Sequence, residues 1–344
     1  GFMCTTAHPE GCKESVRRQI EYVKSQPKAE GPKKVLVLGA SMGYGLASRI
    51  ALTYACGADS IGVIFDKPGK EKRTASAGWY NTAKDFGQVD MVIYSLAAPR
   101  RKAPDGVTYR SVLKTVDKEF TNQSIDLLTN ELTTVTIPPA TEEEINDTIK
   151  VMGGEDWMLW MEALQEADVL ADGAKTVAYS YIGPELTYPI YYDGSIGQAK
   201  QDLYRTADKI NEHIQGTEAY VAVNKAVVTQ SSSAIPIVPL YISILFKVMK
   251  ELNLHEGCIE QMYRLVHDRL CVEGEVPTDE NHLIRMDDYE MKPEVQEEVK
   301  KIWEKISPEN LSELTDIDGY WQEFYEIFGF RIEGVDYDAD VNIQ

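Results

Sequence analysis

The pattern of apolar positions predicts a chain in which short buried strands alternate with amphipathic helices. Runs that are rich in β-branched residues and too short for helices are typical of strands buried on both faces of a parallel sheet. Helical patterns with one apolar face separate or follow these runs. The alternation predicts an α/β fold with a doubly wound parallel sheet. The predicted strands lie at 35–38, 59–66, 90–95, 174–180 and 218–229, and predicted helices at 14–23, 145–170 and 195–214.

Helical patterns dominate the last third of the chain. The most apolar stretch, 234–249, contains two prolines and Lys247, and it is too short to span a bilayer. We therefore predict a core or substrate-lining helix there. Candidate helices follow near 256–270, 293–306 and 318–328. We expect one domain over 1–344, with an N-terminal extension (1–33) and a helical substrate-binding and C-terminal elaboration (231–344).

A glycine-rich turn joins the first predicted strand to the first long helix. Gly39, Gly43 and Gly45 follow the strand at once. Glycines let the backbone turn tightly and approach a pyrophosphate, whose charge the free N–H groups of the helix start then face. Such glycines also occur in plain tight turns, but this position between strand and helix favours a dinucleotide site. The G-x-x-x-G-x-G spacing resembles the short-chain dehydrogenase/reductase version of the Rossmann fold.

The second predicted strand ends in Asp66. A carboxylate there accepts hydrogen bonds from an adenosine ribose and repels a 2′-phosphate, which favours NADH over NADPH. The alternative is an ordinary aspartate at a strand end, and Lys67 weakens the discrimination. Leu96 and Ala97 follow the third predicted strand, where small residues let a nicotinamide or ribose approach the backbone.

Composition narrows the possible partners. A formal net charge of −20 over 344 residues argues against nucleic acid and an anionic membrane surface. The basic cluster Arg100, Arg101 and Lys102 either meets a phosphate-bearing carrier or is a solvated loop. Five scattered cysteines without a C-x-x-C pair suggest a reducing, cytoplasmic location and no zinc knuckle. His8 and Cys12 lack further ligands nearby, so we expect a structural role and no metal.

Tyr191 and Lys200 are the candidate catalytic pair. A lysine ammonium lowers the pKa of a nearby phenol and can also bind the nicotinamide ribose. Eight residues separate the two, which would place them on opposite faces of one continuous helix. Tyr191 must therefore lie on the loop before the helix that begins at Ser195, the predicted N-cap. Tyr181 could be a second donor, and the competing candidates are Tyr179, Tyr188 and Tyr192.

Several long motifs resemble a known family. The chain resembles the trans-2-enoyl-thioester reductases, which comprise the FabV class of enoyl-ACP reductases and the trans-2-enoyl-CoA reductases. The resemblance runs from about Cys4 to Val341. The motifs are KVLVLGAS-x-GYGLA, GWYN, YSLAAPRR, KVMGGEDW, AYSYIGPE, Y-x8-K, VVTQ-x-SSAIP, PLY, FKVMKE, HEGCIEQ and FG-x4-GVDYDADV.

This resemblance implies an activity and roles for particular residues. It implies a monomeric enzyme of fatty acid synthesis that uses NADH to reduce the trans-2 double bond of an enoyl-CoA or enoyl-ACP, with acyl carrier protein as a possible partner. Hydride goes to C3, and Tyr191 protonates the enolate. Tyr181 contacts the thioester, and Lys200 binds NAD. The other implied cofactor contacts are Gly39, Ala40, Ser41, Met42, Gly43, Tyr44, Phe65, Asp66, Leu96, Ala97, Val227, Val228 and Thr229.

The sequence departs from this family in three places. The family pattern begins before Gly1, and a segment with a strand, a helix and an adenine-reading pair is missing after GWYN. Residues 67–89 are too few for a βαβ unit, so we expect a further segment between about residues 81 and 90. Asp66 also replaces the more usual, longer glutamate.

Two other functions remain open at this point. A ketoreductase or epimerase of the same superfamily would need a Tyr-x-x-x-Lys pair, and none occurs near Lys200. A non-catalytic nucleotide sensor would have no use for Tyr191 and Lys200. The sequence does not distinguish CoA from acyl carrier protein, nor does it give the acyl chain length or the inhibitor sensitivity.

Overall fold

A parallel sheet is the centre of the computed structural model, which describes residues 6–64 and 88–341. Within that part of the chain, six strands form this sheet in the order β10-β9-β8-β3-β1-β2, and two separate hairpins pair β4 with β5 and β6 with β7. The strands are β1 (Lys34–Leu38), β2 (Asp59–Val63), β3 (Val89–Tyr94), β4 (Arg100–Lys102), β5 (Thr108–Arg110), β6 (Phe120–Asp126), β7 (Glu131–Ile137), β8 (Leu170–Ser180), β9 (Thr217–Val223) and β10 (Leu283–Arg285).

Helices cover both faces of the sheet and form the C-terminal region. Short 3-10 helices lie at Glu185–Ile190 and Ser232–Ala234, and a π-helical turn lies at Val266–Leu270. The α-helices are α1 (Pro9–Ser25), α2 (Gly43–Cys56), α3 (Glu142–Met152), α4 (Glu155–Glu166), α5 (Ser195–His213), α6 (Val238–Glu251), α7 (Cys258–Leu265), α8 (Pro293–Lys305), α9 (Leu311–Leu314) and α10 (Ile317–Glu326).

The three large apolar cores among the described residues hold these layers together. Residues of α2 and α7 pack on one face of the sheet, and residues of α4 and α5 pack on the other. The third core surrounds α6, which is buried on nearly all sides by α8, α10 and the β6–β7 hairpin. The doubly wound parallel sheet with an added helical region is therefore confirmed. Along the described chain, no helix has the length and apolar character needed to cross a bilayer.

The sheet has a topological switch point at β1. The chain passes from β1 to β2 on one side and then to β3 on the other. At such a reversal the loops diverge and leave a crevice outside the carboxyl ends of the strands, which is where open α/β sheets bind ligands. The strand ends at Leu38, Tyr94, Ser180 and Val223 all open toward this edge.

Two local predictions were wrong. The N-cap of α5 is Gly194, not Ser195; the Ser195 hydroxyl instead donates to the carbonyl oxygen of Val112 at 2.6 Å. The apolar helix predicted from residue 234 begins at Val238. Proline at the second position of that helix fits its start, since the missing N–H has no helical partner there. The short strand β10 was not predicted.

Candidate active site

The glycine turn brings three backbone segments into close contact. Gly39 has a φ of +87°, and a Cβ there would lie 2.3 Å from the carbonyl oxygen of Ser95. A Cβ on Gly45 would lie 2.0 Å from the carbonyl oxygen of Gly39. Only glycine therefore fits either position. α2 starts without a side-chain cap at Met42, so its first N–H groups are available to an anion.

A cleft of about 380 Å³ opens at this turn. Met42 and Gly43 form part of its wall, together with Val227 and Val228 from the segment after β9. The structure thus brings the predicted pyrophosphate turn and two of the three predicted contacts of that segment to one cavity. Thr229 lies at the end of the same segment, where its backbone N–H donates to Ser232 Oγ at 2.8 Å.

Tyr44 fastens the glycine turn to the segment after β9. Its hydroxyl donates to the carbonyl oxygen of Lys225 at 2.6 Å, and Gln261 Oε1 accepts the Lys225 backbone N–H at 2.9 Å. Lys225 itself is buried, and its Nζ donates to the carbonyl oxygen of Ala226 at 2.7 Å. One turn after Tyr44, the Ser48 hydroxyl bonds the hydroxyl of Tyr179 on β8. Hydrogen bonds therefore connect α2, which follows the glycine turn, to β8 and to the segment after β9.

Lys200 lies at the carboxyl end of β8. Its Nζ donates to the carbonyl oxygen of Tyr179 at 3.2 Å. Tyr204, one turn further along α5, shares a 2.8 Å hydrogen bond between its hydroxyl and Ser180 Oγ. Burial lowers the pKa of Lys200 to about 8, because desolvation disfavours the charged ammonium. The amine is therefore close to titrating near neutral pH.

Tyr191 lies before α5, as its spacing from Lys200 requires. It ends the 3-10 helix Glu185–Ile190, and its ring meets that of Tyr181 edge to face with the centroids 4.9 Å apart. Burial raises the pKa of the Tyr191 phenol. No residue in the described ranges is hydrogen-bonded to its hydroxyl. Tyr191 thus keeps a proton that no protein group in those ranges accepts.

The hydroxyl of Tyr181 is held by a residue that sequence reasoning missed. It donates to Glu290 Oε1 at 2.9 Å, and the Tyr241 hydroxyl donates to the same oxygen at 2.6 Å. Glu290 is fully buried. Nothing in the sequence distinguished this carboxylate from the other acids of the C-terminal region.

The remaining predicted site residues differ in their exposure to solvent. Leu96 and Ala97 are exposed after β3, next to the glycine turn. Ala40 is buried, whereas Ser41 is partly exposed. Phe65 and Asp66, together with the segment expected between residues 81 and 90, lie outside the described residues.

The basic cluster divides into two kinds of side chain. Arg101 is structural: its guanidinium binds Glu155 and Asp156 at 2.5 and 3.1 Å. Arg100 and Lys102, on the other face of β4, are exposed. His8 is the N-cap of α1, and its Nδ1 accepts the Gly11 N–H at 3.1 Å. Among the residues with described positions, no three His, Cys, Asp or Glu side chains are grouped as a metal site requires.

The glycine turn and its surroundings fit a dinucleotide. A Cβ would fill the cradle at Gly39 and Gly45, and the uncapped start of α2 suits a pyrophosphate. Asn224, at the end of β9, is 2% exposed, and neither atom of its side-chain amide is hydrogen-bonded within the described chain. A buried amide of this kind needs a ligand or an ordered water to satisfy it.

Three family models match consecutive parts of the chain. Residues 1–71 match the NAD(P)H binding domain of trans-2-enoyl-CoA reductase, and residues 81–271 match the trans-2-enoyl-CoA reductase catalytic region. Residues 278–341 match an enoyl reductase FAD binding domain. This last region has no strand–glycine turn–helix unit among its described elements, and its buried acids Asp287 and Glu290 are already hydrogen-bonded. We therefore assign no flavin to it.

Known relatives cover nearly the whole chain. The trans-2-enoyl-CoA reductase [NADH] of Ruminiclostridium cellulolyticum is 51% identical over all of this chain and 96% of its own length. The enoyl-[acyl-carrier-protein] reductase [NADH] FabV of Aeromonas salmonicida is 51% identical over 99% of this chain and 96% of its own length. The first alignment has 381 positions against 344 residues here, so that relative has at least 37 residues without a counterpart in this chain.

Solved structures superpose closely on this fold. The Clostridium acetobutulicum trans-2-enoyl-CoA reductase in complex with NADH gives a TM-score of 0.95 at 42% identity, covering 99% of this chain and 96% of that chain. The Treponema denticola trans-2-enoyl-CoA reductase in complex with NAD gives 0.93 at 42% identity, covering 98% and 96%.

Proposed function

Because the chain belongs to the trans-2-enoyl-CoA reductase family, we propose that it reduces the trans-2 double bond of enoyl thioesters with NADH. The glycine turn, the uncapped start of α2 and the wall formed by Val227 and Val228 support NADH as the cofactor. The family favours this activity over the ketoreductase and the nucleotide sensor that the residues alone had left open.

Three side chains have separate roles in the proposed reaction. NADH, when bound, supplies the hydride to C3 of the enoyl group. Tyr191 gives its proton to the resulting enolate, since its hydroxyl is bonded to no other described residue. Lys200 binds the cofactor and stabilises the phenolate that remains, and Tyr181 contacts the thioester. Burial strengthens each of these polar interactions, because the local dielectric is low.

One observation supports this assignment above the others. The rings of Tyr181 and Tyr191 are in contact at the end of β8, where Lys200 also reaches the Tyr179 carbonyl. Tyr179 is in turn bonded to Ser48 on α2, the helix that starts at the glycine turn. A phenol, an amine and a nucleotide turn therefore lie along one edge of the sheet.

Replacement of Tyr191 by phenylalanine tests the proton donor. We expect wild type to oxidise NADH with crotonyl-CoA, and Tyr191→Phe to lose at least ~100-fold in kcat, the usual scale for a removed acid. Tyr192→Phe is the matched control, because that neighbouring phenol is 39% exposed. A Tyr191→Phe enzyme with wild-type kcat would remove Tyr191 from the mechanism, and a loss confined to Tyr192→Phe would move the role there.

The carrier of the acyl group needs a separate comparison. One relative named for CoA and one named for acyl carrier protein are each 51% identical to this chain, so identity does not separate the two. Rates with matched crotonyl-CoA and crotonyl-acyl carrier protein would establish the preferred carrier. The acyl carrier protein partner, the monomeric state, the cytoplasmic location and the NADH preference from Asp66 remain our proposals.

A further inference from the structure

Glu290 is a buried carboxylate on which three separate parts of the chain converge. Its Oε1 accepts the hydroxyls of Tyr181 on the segment after β8 and of Tyr241 on α6. Its Oε2 accepts the backbone N–H of Ala226 at 2.7 Å. Gln296 reinforces the arrangement, since its Nε2 donates to the Glu290 carbonyl oxygen at 2.7 Å. A buried charge persists only where such partners satisfy it.

This carboxylate makes the two active-site phenols different from each other. Tyr181 has one hydroxyl proton, which is donated to Glu290. Tyr191, 4.9 Å away between ring centroids, donates its proton to none of the described residues. Tyr181 can therefore serve as a fixed contact surface for the thioester, while Tyr191 keeps its proton available for transfer.

The same carboxylate also reaches the cofactor side of the site. Ala226 directly precedes Val227 and Val228, which line the cleft at the glycine turn. The Lys225 ammonium donates to the Ala226 carbonyl oxygen at 2.7 Å and so holds the other side of that residue. Burial raises the pKa of the Glu290 carboxyl above its usual range, and the bonds from Tyr241 and Ala226 oppose that rise.

We propose that Glu290 is a positioning residue that fixes the Tyr181 hydroxyl and the 226–229 segment relative to each other, so that thioester and nicotinamide meet in a reactive geometry. Glu290 touches no reacting atom itself. This inference rests on the proposed function, in which Tyr181 contacts the substrate and Val227 and Val228 contact NADH. Positioning of this kind affects the reaction rate strongly, because even a small misplacement of the two reactants slows the chemical step.

A double-mutant cycle between Glu290→Gln and Tyr181→Phe tests the proposal. Glutamine has an acceptor at one end of its amide and a donor at the other, so it cannot accept from both the phenols and the Ala226 N–H. We expect Glu290→Gln to raise the KM for crotonyl-CoA and the Kd for NADH. In the Tyr181→Phe background, its effect on KM should shrink by at least ~3-fold, while its effect on NADH should persist.

Glu256→Gln is the matched control. Glu256 is another buried carboxylate of the C-terminal region, and Arg264 binds both of its oxygens at 2.8 Å. We expect this variant to lower the Tm while leaving the KM for crotonyl-CoA near that of wild type. Glu290→Asp, which keeps the charge and shortens the side chain, replaces the glutamine variant in the cycle if the latter does not fold.

The outcomes separate this proposal from the proposed function. If the effects of Glu290→Gln and Tyr181→Phe on KM simply multiply, Glu290 does not act through Tyr181. If Glu290→Gln lowers only the Tm, the carboxylate is merely structural. Either result overturns the positioning role while wild type still reduces crotonyl-CoA. A wild-type enzyme without that turnover would overturn the proposed function instead.

Discussion

At the residue scale, the site depends on groups whose burial changes their chemistry. Lys200 illustrates this, since its ammonium is partly withdrawn from water and its one described hydrogen bond goes to a backbone carbonyl. A protonated lysine at this position is therefore destabilising in the cofactor-free protein. The proposed roles of this amine toward the cofactor and the phenolate would account for a lysine at this position.

This cost predicts a pH-dependent stability difference. The pKa of Lys200 is about 8 in the folded chain, against 10.5 for a lysine side chain in water. Below pH 8 both the folded and the unfolded state bind the proton, and the full penalty is present. Above it the folded state alone releases the proton, so stability rises toward pH 10.5. Each pKa unit is worth about 1.4 kcal/mol, so the difference between 10.5 and about 8 corresponds to a penalty of roughly 3 to 4 kcal/mol.

We therefore expect Lys200→Met to be more stable than wild type at pH 7 and inactive as a reductase. The difference in the free energy of unfolding, measured by urea denaturation without cofactor, should shrink as the pH rises from 7 to 10. Lys209→Met, at an exposed position on the same helix, is the control for removing a charge from α5. A stability difference that is constant with pH would contradict the assignment of the penalty to the Lys200 ammonium.

Sequence reasoning found some of these residues and could not find others. The spacing between Tyr191 and Lys200 required the tyrosine to precede the helix, and the structure places it there. Glu290 is 109 positions from Tyr181, and it is one of 55 acidic residues. Without tertiary contacts, no local pattern separates a buried, hydrogen-bonded carboxylate from a solvated one.

At the element scale, α2 connects the nucleotide turn to the packing of the sheet. Its first turn faces the cleft, and its remaining length packs between β1 and α7. Gly45 near its start and Gly57 at its end have different roles. Gly45 permits contact with another backbone segment, whereas Gly57 adopts a φ of +69° in open space.

Alanine substitutions at these two glycines should have different effects. Gly45→Ala would place a Cβ 2.0 Å from the Gly39 carbonyl oxygen, so α2 must move and the turn must open. We expect at least ~10-fold weaker NADH binding by fluorescence titration, because the aligned N–H groups are lost. Gly57→Ala should cost about 1 kcal/mol of stability from the left-handed backbone and leave NADH affinity unchanged. If both variants bound NADH with wild-type affinity, the turn would tolerate the displacement of α2.

The differences between the predicted and the observed elements have separate physical reasons. Serine is a residue type that favours the N-cap position, but at Ser195 the segment before α3 lies within hydrogen-bonding distance of the side chain. Its hydroxyl accepts the Lys114 N–H and donates to the Val112 carbonyl oxygen. β10 has three residues and pairs only with β9, so its pattern is too short to recognise. The continuous apolar runs of β1, β3 and β8, in contrast, were recognisable because strands buried on both faces need apolar residues at successive positions.

At the scale of the whole molecule, charge is distributed unevenly. The chain has a net charge of −20, which repels an anionic carrier over long distances at low salt. Arg100 and Lys102 are exposed on the hairpin that follows Leu96 and Ala97. β4, which carries both residues, follows the carboxyl end of β3 after five residues. We propose that these two cations meet the phosphate groups of the carrier. Arg101 is not available, because Glu155 and Asp156 bind it.

We expect the Arg100→Ala/Lys102→Ala double variant to raise the KM for crotonyl-CoA severalfold at low salt. The KM for the crotonyl thioester of N-acetylcysteamine, which carries no phosphate, should not change, and neither should NADH affinity. The rise in the KM for crotonyl-CoA should become smaller as salt is added, since salt screens exposed charges beyond ~10 Å at 0.1 M. An equal rise for both thioesters would show that the hairpin acts on the site and not on the carrier.

The organisation into one domain remains a proposal. The described helices of the C-terminal region share a core with α6 and the β6–β7 hairpin, which supports it. The further segment near residues 81–90 also stays a prediction. The R. cellulolyticum enzyme has at least 37 residues that align with no residue of this chain.

The hydrogen bond from Tyr44 to Lys225 has a consequence for how the nucleotide is captured. It joins the glycine turn to the segment after β9, which form two walls of the cleft, and Gln261 hydrogen-bonds at the same junction. Little conformational entropy is then left to lose on association, so more of the contact energy is realised as affinity. These hydrogen bonds therefore preorganise the part of the pocket between the glycine turn and the segment after β9 for NADH.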